Sequence, residues 1–183
     1  MNTDMVHSGD DGDTEILSGK NISKDDLRIE TLGELDEIQS ILGILRSIIK
    51  QKRTKEILFR IQNDLQLVMG EIASEKQNPS NTQKVDDNFL LKLEESIQNY
   101  QKQDEPQKGF IIPGDDFISA MVDQARTVAR RAERRVVAAY RGKLILNKSI
   151  LKYMNRLSTL LYYMEIHEMK LAKNQQPKQA HIA

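Results

Sequence analysis

The stretch that decides the fold is residues 110–137, FIIPGDDFISAMVDQARTVARRAERRVV. It turns at Pro113-Gly114 and continues through two acidic residues, a combination that predicts the start of a helix. Apolar residues then recur at helical spacing and predict one buried stripe. These residues are Ile118, Met121, Val122, Ala125, Ala129, Ala132 and Val136. We therefore predict a long helix over about residues 115–141.

Five arginines fall between positions 126 and 135 of this predicted helix. At about 100° per residue, Arg126, Arg130 and Glu133 lie beside the apolar stripe and not opposite it. Arg134 continues the same four-residue spacing. A helix face that contacts only water does not require arginines next to the apolar stripe. A pocket for a large, anionic and partly apolar ligand does require that arrangement.

Two other interpretations of the arginine cluster stay open at this point. It is either a solvated or ion-paired helix face, or a basic patch that binds nucleic acid. Nucleic-acid patches usually combine interleaved aromatic residues with a basic chain. Here the formal net charge is +0, and Tyr140 is the only aromatic residue of the predicted helix beyond Phe117. We therefore expect no nucleic-acid partner.

The composition excludes several classes of site. The chain has 183 residues, enough for one domain with a real core. It has no cysteine, which excludes disulfides, thiolate metal sites and cysteine nucleophiles, and its 3 histidines argue against a multi-histidine metal site. No apolar run approaches the roughly 18 residues of a membrane span, and the acidic N-terminus lacks a signal-peptide pattern. We expect a cytoplasmic protein without a membrane partner.

Four further amphipathic segments accompany the central one. Apolar periodicity predicts helices over about residues 25–50, 55–74, 86–102 and 148–171. Short connections favour antiparallel neighbours, so the predicted fold is an all-α five-helix bundle. We predict one domain over residues 1–172, in which residues 1–27 form an irregular Gly-rich segment, followed by a disordered tail over residues 173–183.

The Gly-rich segment at residues 8–17 is similar to a loop that cradles phosphate. Gly9 and Gly12 permit close backbone approach to anionic oxygens, and Ser8 and Thr14 add hydroxyl donors. The alternative is a flexible acidic terminus. Its acids repel triphosphate unless Mg²⁺ or arginines offset their charge.

Three isolated residues have both a functional and a structural interpretation. Lys24 is either a point charge that reaches a phosphate or an ordinary exposed lysine. Asp36, inside the first helix, either pairs with an arginine of another helix or subunit or lies on a solvated face. His167, in the last helix, is interpreted as a surface or packing histidine.

Three ordered stretches resemble the PduO-type ATP:cob(I)alamin adenosyltransferases. Residues 110–137 resemble that family's F-I/L-x-P-G/S-G and A-R-x-x-x-R-R-A-E-R motif. SGDDGDTEILSGKNISKDDLRIETLGELDEIQS resembles its N-terminal segment, and MNRLSTLLYYME resembles its L-N-R-L-S-D-x-L-F motif. Together they extend over about residues 6–168. The resemblance implies a five-helix bundle that assembles as a homotrimer with sites at the subunit interfaces.

The resemblance also implies a reaction. The Co(I) of a reduced corrinoid, cob(I)alamin, attacks C5′ of ATP, the deoxyadenosyl group moves to cobalt, and tripolyphosphate leaves. Mg²⁺ bridges the phosphates. Because cobalt is the nucleophile, no side-chain nucleophile is required. A cobalamin reductase and an adenosylcobalamin-dependent enzyme are the further partners that this reaction implies.

By resemblance, the site combines an ATP half and a corrinoid half. Arg126 is implied to pair with Asp36 across a subunit boundary, and Phe110 is implied to lie near the corrinoid and help to exclude its lower axial ligand. The residues implied to bind ATP are Ser8, Gly9, Thr14, Lys24, Arg130, Arg131, Glu133, Arg134 and Asn155.

The sequence departs from the family pattern at several positions. Val6 and Asp11 replace a threonine and a lysine of the N-terminal loop, while Thr159 and Ile166 replace an aspartate and an arginine of the last helix. These changes leave an alternative open, namely a catalytically weak or divergent member that binds ATP or delivers a corrinoid.

Overall fold

The computed structural model describes residues 9–74, 84–106 and 109–172. Two short strands, β1 (Asp13–Glu15) and β2 (Asn21–Ser23), precede five long helices. The helices are α1 (Leu27–Ile48), α2 (Lys52–Ala73), α3 (Asp87–Gln103), α4 (Phe117–Arg141) and α5 (Lys148–Leu171). The predicted all-α five-helix fold is confirmed. The predicted tail at residues 173–183 lies outside the described residues.

Side-chain caps define where four of the helices begin. Asp26 accepts from the backbone N–H of Arg28 at the start of α1, and Asp116 accepts from that of Ser119 at the start of α4. Asp86 and Asn147 cap α3 and α5 in the same way. Each such cap is worth about 1 kcal/mol, since it satisfies an N–H group that has no partner inside the helix. The caps therefore fix where α4 and α5, which carry the site, begin.

Helix α4 packs between α1 and α5; α1 also packs on α2, and α5 on α3. The predicted stripe of α4 is buried from Val122 onwards, while Ile118 and Met121 are partly buried against the same core. A buried polar contact crosses the core, where the Tyr153 hydroxyl donates to Asp64 at 3.0 Å. No helix in the described part of the chain is long and apolar enough to cross a membrane.

The N-terminal segment, predicted to be irregular, forms a small hairpin where it is described. Strands β1 and β2 pair antiparallel, with Thr14 opposite Ile22. Gly12 and Gly19 have φ of 88° and 77°, backbone conformations that other residues rarely adopt. Ile16 is only 6% exposed and anchors the hairpin. Sequence reasoning missed the strands because each has three residues, too few to show a period.

Candidate active site

Charged side chains converge on a groove between α4 and α5. We call it the arginine groove. It has a volume of about 490 Å³. Its lining consists of Arg130, Glu133, Arg134, Val137, Ala138 and Arg141 of α4 with Asn155 of α5. The predicted grouping of Arg130 with Glu133, Arg134 and Asn155 is therefore present in the structure.

The arginine groove carries excess positive charge. Among the described residues, Arg130, Arg134 and Arg141 have no carboxylate partner. Arg134 donates only to the backbone carbonyl of Arg130, at 3.2 Å. The one carboxylate of the groove, Glu133, accepts a hydrogen bond from Asn155 Nδ2 at 3.0 Å. Three uncompensated guanidinium groups on one wall suit a polyanionic ligand.

Two other arginines of the cluster are turned towards α1. Arg131 pairs with Glu34 at 2.5 Å and also with Glu37, both on α1. These hydrogen bonds raise the pKa of Arg131. Arg135 pairs with Glu30 at 2.9 Å. Arg131, expected in the ATP site, does not line the arginine groove, because its ion pairs with Glu34 and Glu37 hold its guanidinium against α1.

Arg126 belongs to an acidic cluster inside its own chain. Its guanidinium lies 2.5 Å from Asp123 Oδ1 and 3.5 Å from Glu165 Oε2 on α5. The Glu165 side chain is only 2% exposed. Burial and the neighbouring Asp123 raise the pKa of Glu165 to about 7, although Arg126 opposes the shift. The sequence analysis did not single out Glu165. A glutamate within the apolar stripe of the last helix could have marked it as a buried charged residue.

The expected pair between Arg126 and Asp36 is not formed within one chain. Asp36 is exposed on α1, and no described side chain pairs with it. Arg126 itself does not line the arginine groove.

The hairpin brings together Gly9 and Lys24. The Lys24 ammonium donates to the Gly9 carbonyl oxygen at 2.5 Å. Gly9 has φ of 126°, and a Cβ placed on it would lie 3.0 Å from the Asp13 carbonyl oxygen, so this turn requires glycine. Thr14 is half-buried in β1. Ser8 lies outside the described residues, and no hairpin residue lines the arginine groove.

Exposed apolar side chains precede and begin α4. Phe110 and Phe117 are each 68% exposed, and Ile112 is 47% exposed. Phe110, which the family resemblance places near the corrinoid, is therefore accessible to a ligand. His167, predicted to be a surface or packing histidine, instead pairs with a carboxylate that the prediction did not include: its Nδ1 lies 2.7 Å from Asp104 Oδ2, and its ring meets Tyr100 edge-on.

A second groove, which we call the amide groove, lies between α3 and α5. It has a volume of about 350 Å³. Its lining consists of Glu94, Ile97, Gln98 and Gln101 of α3 with Asn155, Arg156 and Thr159 of α5. Asn155 lines both grooves, which therefore meet at this residue.

Comparison with known proteins identifies the family. The model of the cobalamin adenosyltransferase family matches residues 5–168. The chain belongs to the cobalamin adenosyltransferase family. This confirms the resemblance inferred from the three sequence motifs.

Relatives in the adenosyltransferase family extend over most of the chain. It is 35% identical over 160 residues to a corrinoid adenosyltransferase of Citrobacter freundii, covering 87% of this chain and 90% of the relative. It is 33% identical over 158 residues to the corrinoid adenosyltransferase PduO of the same organism. That match covers 86% of this chain and 47% of the relative, so this chain corresponds to about half of that longer protein.

Solved structures of the adenosyltransferase family share the fold. A variant of the PduO-type ATP:corrinoid adenosyltransferase from Lactobacillus reuteri, complexed with cobalamin and ATP, superposes with a TM-score of 0.84 at 30% identity. The match covers 96% of this chain and 97% of that chain. A second variant of that enzyme, complexed with ATP, has a TM-score of 0.83 at 29% identity.

Proposed function

We propose that this chain transfers the 5′-deoxyadenosyl group of ATP to the Co(I) of reduced cobalamin, giving adenosylcobalamin and tripolyphosphate. The observation that carries the proposal is the arginine groove, where Arg130, Arg134 and Arg141 line one wall without carboxylate partners. The other described arginines of α4 are paired, so charge is left uncompensated where a triphosphate would bind.

The groove matches what this reaction needs from a protein. As the C5′–O bond of ATP breaks, negative charge builds up on the departing tripolyphosphate. Cationic donors already in position at that charge lower the barrier without reorganising during the reaction. Arg130 and Arg134 supply such donors, and Mg²⁺ enters as part of the substrate Mg-ATP. Glu133, oriented by Asn155, is left to accept a hydrogen bond from a neutral part of the nucleotide.

The ATP site is completed by another copy of the chain. Gly9, Thr14 and Lys24 lie on the hairpin, and none of them lines the arginine groove of the same chain. If both elements hold one nucleotide, the hairpin of one subunit must approach the groove of its neighbour. A homotrimer with sites at its interfaces satisfies this requirement. In such a trimer, the unpaired Asp36 of one subunit can also pair with Arg126 of its neighbour. Arg131, which is paired with α1, supports the arginine groove without contacting ATP.

The corrinoid half of the site is proposed near the N-terminal end of α4. Phe110 provides an exposed aromatic face there, suited to displacing the lower axial ligand of cobalt. A reductase that generates Co(I) and an enzyme that uses adenosylcobalamin are the corresponding partners.

An anaerobic absorbance assay tests the proposal. The protein is mixed with chemically reduced cobalamin and Mg-ATP, and the loss of the Co(I) band is followed with the appearance of light-sensitive adenosylcobalamin. Reactions without ATP and without protein are the controls. Formation of adenosylcobalamin at the rate at which Co(I) is lost supports the transferase, and its absence refutes it.

The divergent-member alternative is supported by Thr159, which lines the amide groove where the family has aspartate. It predicts tight binding of ATP or cobalamin without turnover. Titrating both ligands alongside the assay separates the two functions.

A further inference from the structure

The uncompensated arginines of the arginine groove form a row that is longer than one triphosphate. Arg134 and Arg141 follow Arg130 by four and eleven positions, and at about 100° per residue both return to within about 40° of its direction. At a rise of about 1.5 Å per residue, the row extends over about 16 Å along α4. Three linked phosphates are shorter than this, so a triphosphate held between Arg130 and Arg134 does not reach the level of Arg141.

The proposed position of the corrinoid sets the direction of the triphosphate. Phe110 precedes the N-terminal end of α4, and the C5′ atom of ATP must face the cobalt on that side. The phosphates therefore extend from Arg130 towards the C-terminal end of the helix. Arg141, the last residue of α4, lies beyond the γ-phosphate.

Helix α5 adds a second cation at the level of Arg141. Asn155 of α5 lies opposite Glu133 of α4, with which it forms a hydrogen bond. Because a short turn joins the two helices, they run antiparallel, and Lys148, the first residue of α5, lies level with the end of α4. Lys148 is seven positions before Asn155 and therefore on the same side of α5. We call Arg141 and Lys148 the distal end of the arginine groove.

No carboxylate in the described part of the chain pairs with either cation of the distal end. The chain has no aspartate or glutamate between Glu133 and Glu165. Glu71 of α2 contacts the neighbouring Asn147, but its carboxylate is already engaged, since it accepts from Asn147 Nδ2 at 3.1 Å and from the backbone N–H of Val85 at 3.3 Å. The distal end is therefore exposed, positively charged and without a part in the proposed reaction.

We propose that the distal end binds phosphate groups beyond the third, so that the arginine groove holds linear inorganic polyphosphate in competition with ATP. Guanidinium and ammonium groups in a row suit a flexible chain that carries negative charge on every phosphate. This inference rests on the proposed function, because the triphosphate of ATP defines the first three positions. Its consequence is regulation, since polyphosphate slows adenosyl transfer most when ATP is scarce.

The test measures competition with Mg-ATP by tripolyphosphate and by linear hexapolyphosphate, with Mg²⁺ in excess over all phosphates. We expect the longer chain to inhibit the wild type about tenfold more strongly, the size of one charge-assisted hydrogen bond at an exposed site. Lys148→Ala should lose most of this difference and keep the wild-type KM for ATP and inhibition by tripolyphosphate. The longer chain also has more ways to place three phosphates in the groove, and this statistical share is what remains in the variant.

Lys52→Ala is the matched control, because Lys52 is the first residue of α2 just as Lys148 is the first residue of α5. Its exposed pair with Glu56, at 3.9 Å, contributes about 0–1 kcal/mol. We expect this variant to behave as the wild type with both inhibitors. Helical circular dichroism verifies that each variant folds.

Arg141→Ala tests the other cation of the distal end. Because Arg141 lines the arginine groove, this variant is judged by the ratio of its two inhibition constants, in which a change in ATP binding cancels. A ratio that falls to that of Lys148→Ala supports the proposal. A wild-type ratio in both variants overturns it, as does inhibition by hexapolyphosphate that does not compete with ATP.

An oligodeoxynucleotide with the same total charge as hexapolyphosphate is the last inhibitor. Weak inhibition by this oligonucleotide supports a subsite for polyphosphate. Inhibition as strong as that by hexapolyphosphate, and lost in Lys148→Ala, assigns the distal end to nucleic acid and overturns the proposal.

The failure of the proposed function is distinguishable from the failure of this inference. If the wild-type protein forms no adenosylcobalamin, the proposed function fails. Isothermal titration calorimetry of wild type and Lys148→Ala with both polyphosphates then decides the inference, since it needs no turnover. A preference for hexapolyphosphate that the variant loses supports the distal end, and an equal preference in both proteins overturns it.

Discussion

Asn155 on α5 and Glu133 on α4 form a hydrogen bond of 3.0 Å across the wall of the arginine groove. The bond fixes the one carboxylate of a wall that otherwise carries three uncompensated guanidinium groups. Since the Asn155 carbonyl oxygen accepts from Arg156, the orientation of its amide is set from both sides. Asn155 therefore holds a carboxylate in place without adding charge of its own.

Asn155→Asp is expected to weaken ATP binding. It places a second carboxylate next to Glu133, with about 1–4 kcal/mol of repulsion at this separation, and lowers the positive charge of the groove. We expect the KM for ATP to rise about tenfold or more. Steady-state kinetics with saturating cobalamin measure this. Asn63→Asp, which adds the same charge on the exposed face of α2, is the matched control, and an equal effect of both changes would contradict the role of Asn155.

Arg130→Ala is expected to abolish most turnover while leaving the fold intact. Arg130 is exposed and contributes no core volume, but it supplies charge at the leaving group. Removing one such donor costs about 10²–10³-fold in kcat. Arg135→Ala is the control, because it removes an arginine of the same helix whose exposed pair with Glu30 is worth about 0–1 kcal/mol. Retained turnover in Arg130→Ala would remove this residue from the site.

Asp36→Ala is expected to loosen the assembly. Asp36 is exposed and unpaired in the described part of one chain, which fits a partner on a neighbouring subunit. Sedimentation velocity should show smaller species at low protein concentration, and the KM for cobalamin should rise. Glu95→Ala, at an exposed position of α3, controls for loss of a negative charge. Unchanged sedimentation together with unchanged cobalamin affinity would count against this role for Asp36.

The long helices and the core of α4 were predictable from the sequence. Apolar spacing over 25 residues leaves little ambiguity, and Asp116 before the first apolar residue marks the helix start. The same spacing placed Arg130 and Glu133 on one side of the helix. These features depend only on local helix geometry, which follows directly from the spacing of residues in the sequence.

The missed features depend on partners that are distant in sequence. Arg131 adjoins Arg130 in the motif, but the glutamates that hold it are more than 90 residues away on α1. Glu165 interrupts an apolar stripe, and only the fold shows that Asp123 and Arg126 face it. The hairpin depends on glycines at positive φ. The presence of a glycine in the sequence does not show whether its φ is positive or negative.

Glu165 makes the stability of the fold depend on pH. Its pKa of about 7 in the folded chain is above its ordinary value of 4.5, so the folded state binds more protons than the unfolded state between these values. The resulting stabilisation is fully present below about pH 4.5 and is lost as the pH rises through about 7. The slope is at most about 1.4 kcal/mol per pH unit.

Glu165→Gln should remove this dependence, because glutamine imitates the protonated carboxyl in shape and charge. Urea unfolding at fixed protein concentration should give nearly equal free energies of unfolding for variant and wild type at pH 4. The variant should become increasingly the more stable of the two up to pH 8. Glu95→Gln, on the exposed face of α3, controls for loss of a surface charge. A difference between variant and wild type that stays constant from pH 4 to pH 8 would show that Glu165 titrates alike in the folded and unfolded chain.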